Sequence, residues 1–263
     1  MRAEGIQEAV RAAGGAGAFA CGPGTAQLTV SSSQHAAAAN RVVMADGFSG
    51  DRGAALRPDP QPHEDDPLPS GEQPDEVDLL RSQHYDLLSV LLGRAPTDEL
   101  LVTLRALEGD GTALGTAYRK LAEAARATDP DVVSREYFDL FVGLGRGEIL
   151  PYASYYLTGF LNERPLARVR EDMQALGIEA ADDLREPEDH VAILCEVMSG
   201  LAARRFEAAP GADRRFFDRH LKPFAERFFT DLELANSSRF YRAVGALGRL
   251  FIEIETEAFA IEN

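Results

Sequence analysis

Cysteine is scarce in this 263-residue chain: there are two, Cys21 and Cys195, far apart and without metal-ligand spacing. That pattern excludes a disulfide framework and fits a reducing compartment. The five histidines are scattered, and none forms the paired spacing that a zinc site needs. No stretch reaches about 18 uninterrupted apolar residues, so no membrane span is expected. The start of the chain lacks a basic segment followed by a long apolar run, so no signal peptide is visible. Positive charge is also short. Twenty-seven Lys and Arg face 43 Asp and Glu, for a formal net charge of −16 and a pI near 4.7. This balance argues against binding to nucleic acid or anionic membranes, which need positive charge to meet phosphate. It suits a cytoplasmic protein with a basic partner.

What is present supports a sizeable core, since 45% of the residues are hydrophobic. Residues 58–74, "PDPQPHEDDPLPSGEQP", hold six prolines among many acids and read as an extended linker. They separate an N-terminal part, residues 1–57, from a body, residues 75–263. The body reads as helix after helix. Asp75 is a fitting N-cap for "EVDLLRSQHYDLLSVLL", which Gly93 and Pro96 end, and Thr97 caps the next helix. Leu100, Leu101, Leu104 and Leu107 follow helical spacing, as do Leu114, Tyr118, Leu121 and Ala125. Pro223 falls inside "DRRFFDRHLKPFAERFFTDLEL" and should kink or split that helix. No period-two strand stands out in the body. The expected class is all-α, with about eight to ten helices at ordinary lengths.

Three segments stand out chemically. "GLGRG", residues 143–147, superficially resembles a phosphate loop, but a helix precedes it and no Lys-Ser/Thr pair follows. It reads as a helix–helix connection. "EILPYASYYLTGFL" crowds Tyr152, Tyr155 and Tyr156 around Ser154, either completing a core or forming an amphipathic aromatic surface for a peptide. "REPEDHVAILCEVM" reads as a helix start, with Pro187 in the first turn and Glu188 and Asp189 meeting the positive helix end. Val191, Leu194, Cys195 and Met198 supply its apolar face. Capping explains every residue there except His190. No Ser/His/Asp or Cys/His arrangement announces itself in sequence, although distant residues could converge in space.

Taken together, two of these segments resemble the TorD/DmsD/NarJ family of molybdoenzyme maturation chaperones. The first matches a family pattern through Glu136, Leu140, Phe141, Gly143, Pro151, Ser154 and Tyr156 or its neighbour Tyr155. The second matches through Pro187, Asp189, His190 and Met198, about thirty residues later. The likeness covers essentially all of residues 75–263. It implies an all-helical fold, no enzyme activity and no cofactor of its own. It implies as partner the apo catalytic subunit of a formate dehydrogenase, nitrate reductase, or sulfoxide or amine-oxide reductase. Members often bind that client at a twin-arginine signal peptide, hold it until cofactor is inserted, and can dimerise by exchanging helical subdomains. By the same resemblance, Asp189 and His190 lie near a hinge and take part in signal-peptide binding, with Pro187, Glu136, Phe141, Gly143, Tyr152, Ser154, Tyr155 and Met198 around them. A carboxylate pairs bidentately with arginine, and aromatic neighbours receive an apolar segment, so the chemistry agrees. The family often has tryptophan after the proline of the first pattern; here Tyr152 stands there, and the chain has no tryptophan.

The N-terminal part is similar to a degraded Cro- or YdaS-like helix-turn-helix, through Ala18, Ala20, Gly24, Gln27, Val30 and Ser31. Pro23, Thr25 and Ser33 replace apolar anchors of that motif, and losing such anchors costs about 2–5 kcal/mol each, comparable with the stability of a small domain. A mostly disordered Ala/Gly/Ser-rich extension is the competing expectation, and the one the composition favours. The alternative function that follows from the motif is a DNA-binding regulator with the helical body as sensor.

Overall fold

A computed structural model describes residues 3–12, 28–30, 73–180 and 186–261. Most of the linker, residues 58–72, lies outside them. So do Ala18, Ala20, Gly24, Gln27 and Ser31, on which the helix-turn-helix likeness rests.

Two helices buried along most of their length place the centre of the molecule. The helix α2 (Glu76–Gly93) buries Tyr85, Leu87, Leu88, Leu91 and Leu92, and the helix α8 (Val191–Ala202) buries every residue but Glu196. These two pack along each other. Ser82 and Ser199 join them where the chains come close, with hydroxyls 2.9 Å apart and Ser199 Oγ donating to the Ser82 carbonyl at 3.0 Å. Around this pair run α3 (Asp98–Arg105), α4 (Ala113–Arg126), α5 (Pro130–Tyr137), α6 (Ala153–Thr158), α7 (Arg164–Ala175), α9 (Ala212–Phe216), α10 (Lys222–Glu233) and α11 (Phe240–Ile261). The all-α expectation holds for the body.

Local chemistry starts and stops these helices much as read from sequence. Asp75 accepts from the Asp78 amide in a reciprocal capping box, and Thr97 accepts from the Leu100 amide. Asp129 caps α5, with Pro130 in its first turn. Pro223 splits its segment as expected. It lacks the N–H that an α-ladder would use there, and the preceding Phe217–Leu221 widens into a π-turn. A second π-turn, Phe138–Val142, follows α5 and closes at Gly143, whose amide donates to Phe138 O at 2.7 Å. Gly143 has φ +61°, and a Cβ there would lie 2.2 Å from the Arg146 carbonyl oxygen. Only glycine fits. Gly248 serves a different need: a Cβ would lie 2.1 Å from the Phe229 ring, so its absence lets α11 lie close on α10.

Two observations add to the sequence reading. The helix α1 (Ala3–Ala12) packs on α2 and α3 with Ile6 and Ala9 fully buried. The strand β1 (Leu28–Val30) pairs antiparallel with β2 (Ile178–Ala180), placing Thr29 opposite Glu179. The body therefore holds one short strand where none was expected, because three residues are too few for alternation to show.

The turn between α10 and α11 is held from a distance. Glu136 accepts from the Arg239 and Phe240 amides, each at 3.1 Å, and from the Ser238 hydroxyl. Glu148 accepts from the Asn236 and Ser237 amides at 2.8 and 2.9 Å. Carboxylates thereby satisfy the orphan donors at the start of α11. Glu136→Ala should lower stability by about 1–3 kcal/mol, read as a reduced guanidinium midpoint, whereas Glu136→Gln should recover most of the loss.

Candidate functional site

The two sequence motifs meet in space at a joint between the start of α6 and the start of α8. The main chains bridge: Ala153 N donates to Asp189 O at 3.0 Å, and Val191 N to Pro151 O at 2.9 Å. The Asp189 side chain, 0% exposed, accepts from the Ser154 amide at 2.7 Å through Oδ2. It therefore caps α6, a helix to which it does not belong. Asp189 Oδ1 and the Ser154 hydroxyl are buried without hydrogen-bond partners among the described residues. Buried polar atoms left unmatched are uncommon.

His190 overturns the helix-start reading. The helix α8 begins at Val191, so Pro187, Glu188 and Asp189 lie before it in a turn closed by His190 N to Pro187 O at 2.9 Å. His190 itself is the N-cap, its Nδ1 accepting from the Ala192 amide at 3.1 Å. The residue that capping seemed to leave unexplained is the cap. Accepting at Nδ1 requires a neutral ring, and burial pushes the imidazole down to about 4 against the opposing pull of Glu186 and Asp189. Tyr152 meets the ring edge-on at 5.1 Å and donates its hydroxyl to Glu186. Glu188 is taken by Arg170 at 2.8 Å.

A cleft of about 580 Å³ opens beside this joint, between α6 and the far end of α10. Tyr155, Tyr156 and Leu157 form one wall; Arg227, Asp231 and Leu234 form the other. Tyr156 donates to Asp231 at 2.9 Å and packs on the Phe224 and Phe228 rings. Arg227 lies over the Tyr156 ring at 5.6 Å, and Arg146 over the Tyr155 ring at 5.4 Å. Exposed apolar side chains line and adjoin the cleft: Leu157 is 44% exposed, Leu234 67%, and Phe160, just past α6, 70%.

The structure thus gathers Pro187, Asp189, His190, Tyr152 and Ser154 at the joint, and Tyr155 in the cleft. Glu136 is spent on the start of α11. Phe141 packs edge-on against Tyr241 at 5.4 Å, and Gly143 closes the π-turn. Met198 is fully buried within α8. Arg227, Asp231 and Leu234 escaped the sequence reading, although an unpaired leucine at the end of a helix was a signal. Among the described residues no helix is long and apolar enough to cross a membrane.

A model of the nitrate reductase delta subunit family matches residues 107–230, which take in both motifs, the joint and most of the cleft. The chain is 27% identical over 205 residues to the chaperone protein TorD of Vibrio atlanticus, covering 69% of this chain and 95% of that one. The chain is thus similar to the nitrate reductase delta subunit family over residues 107–230 and to TorD chaperones. A second TorD, from Vibrio cholerae serotype O1, is 30% identical over 130 residues, 46% of this chain and 59% of its own length. A solved structure of a candidate redox enzyme maturation protein from Archaeoglobus fulgidus aligns over 66% of this chain and 93% of its own, with 22% identity and a TM-score of 0.45.

A neutral cap at this joint has a pH signature. An unfolded His190 titrates near 6.5 and the folded one near 4. The unfolded chain therefore binds more protons between those values, and the stability from His190 is full above pH 6.5 and lost as pH falls through about 4. His190→Asn, which keeps a cap acceptor but does not titrate, should flatten part of this decline in melting temperature between pH 6.5 and 4.

Proposed function

We propose that this chain is a non-catalytic maturation chaperone. It holds the apo catalytic subunit of a molybdopterin-dependent oxidoreductase by an N-terminal segment until cofactor is inserted. The observation that carries this reading is the tyrosine-lined cleft with exposed Leu157 and Leu234 in its lining and exposed Phe160 next to it in sequence, just past Gly159. An apolar rim around polar groups is what a peptide-capturing surface needs, and an isolated protein gains nothing by exposing it. The names of the relatives, chaperone protein TorD, support the chaperone role, and the family resemblance of the two motifs supplies the client class. Formate dehydrogenase, nitrate reductase and sulfoxide or amine-oxide reductase subunits are the candidate clients, with a twin-arginine signal peptide as the segment held in exported cases. The net charge of −16 steers such a basic segment toward the chain. The DNA-binding alternative gains no support from the comparisons or the described residues.

In this reading Asp189 and His190 serve recognition at one remove. Asp189 fixes the start of α6, and α6 carries Tyr155, Tyr156 and Leu157 into the cleft. They are positioning residues.

Purified apo-enzyme from a cofactor-deficient host, mixed with the full chain, should co-elute with it and be released as holoenzyme when cofactor is supplied. Leu157→Ser combined with Phe160→Ser should weaken capture about tenfold or more, with a melting temperature within about 2 °C of the native chain. Undiminished capture by that variant would remove the cleft rim from recognition.

A further inference from the structure

The cleft is chemically more particular than an apolar groove. In this acidic chain arginines commonly hold carboxylates: Arg81 reaches Glu255 at 2.9 Å, Arg170 Glu188 at 2.8 Å, Arg219 Asp172 at 2.9 Å and Arg249 Glu233 at 2.8 Å. The two arginines of the cleft do not. Arg146 donates to the Tyr155 hydroxyl at 2.9 Å and lies over that ring, and Arg227 lies over Tyr156. Neither has an ion pair among the described residues. The two carboxylates of the same cleft are already engaged. Glu148 accepts from the Asn236 and Ser237 amides, and Asp231 holds the Tyr156 hydroxyl.

Stacking on a ring fixes the plane of a guanidinium while leaving N–H edges to point outward, which lowers the cost of ordering it when an anion arrives. Two such forks stand in one cleft with Leu157 and Leu234. We infer that the cleft receives a carboxylate carried on an apolar segment of the client, a Glu or Asp side chain flanked by aliphatic residues. An arginine pair in the client, where there is one, is held outside the cleft. This inference rests on the chaperone reading above and names what its site selects. The planar carboxylate matches the fork of each guanidinium, and the leucines take the flanking side chains.

The test uses the full chain and a fluorescein-labelled short amphipathic Leu/Ala peptide bearing one central Glu, with Gln and Lys counterparts. By anisotropy at low salt the Glu peptide should bind about tenfold more tightly than the Gln peptide, and the gap should narrow as ionic strength rises. Arg146→Gln with Arg227→Gln should erase the preference without moving the melting temperature. Arg146→Glu with Arg227→Glu should turn it toward the Lys peptide. Equal affinity for the Glu and Gln peptides, no binding of either, or discrimination that survives the double Gln variant overturns the inference. The apo-enzyme separates this from the parent reading. If the native chain captures apo-enzyme while the peptides go undiscriminated, only the carboxylate falls; if apo-enzyme is not captured, the chaperone reading falls.

Discussion

A carboxylate taken wholly out of water must be compensated, and the compensation at Asp189 organises the functional half of the molecule. Its side chain satisfies the Ser154 amide, its carbonyl satisfies Ala153, and the next residues return the bond from Val191 to Pro151. Two stretches 35 positions apart are thereby joined through both main chain and side chain. The helix α6 has only six residues, too few to be stable alone, so its direction is set by what grips its first turn. Tyr155, Tyr156 and Leu157 face the cleft because Asp189 sets where α6 begins.

The opposite wall follows the same logic. The helix α10 ends in a turn whose amides would otherwise lack acceptors, and Glu148 and Glu136 reach across from the 136–148 segment to supply them. Gly143 and its positive φ let that segment double back, bringing Glu148 within reach of the turn. Each wall of the cleft is thus set by acids on another element, and the tyrosines and arginines between them inherit fixed positions. Acids on other elements thus hold the helix starts on both sides of the opening.

Much of the fold was legible because it is written in neighbouring residues. Asp75, Thr97 and Pro223 act on amides within a turn of themselves, so their roles show in sequence and hold in the structure. His190 was not legible as a cap, because imidazole caps only when neutral and buried, and neither condition can be read locally. That misplaced the start of α8, moving Pro187 out of the helix it seemed to open. Glu136 and Asp189 resembled ligands for a cationic peptide; the donors they meet lie 103 and 35 positions away. The far wall of the cleft was hidden for the same reason, since Tyr156 finds Asp231 across 75 residues and leaves no pattern behind.

Distance along the chain has a consequence at the other side of the core. Arg81 on α2 is clasped by Glu255 on α11 through both oxygens, with Tyr85 donating to the same carboxylate at 2.9 Å. The arginine is made early in synthesis and its partner very late. A nascent chain therefore carries α2 with a cation that has not yet met its Glu255 counter-charge. A contact that spans 174 positions is thereby among the last that the core can complete.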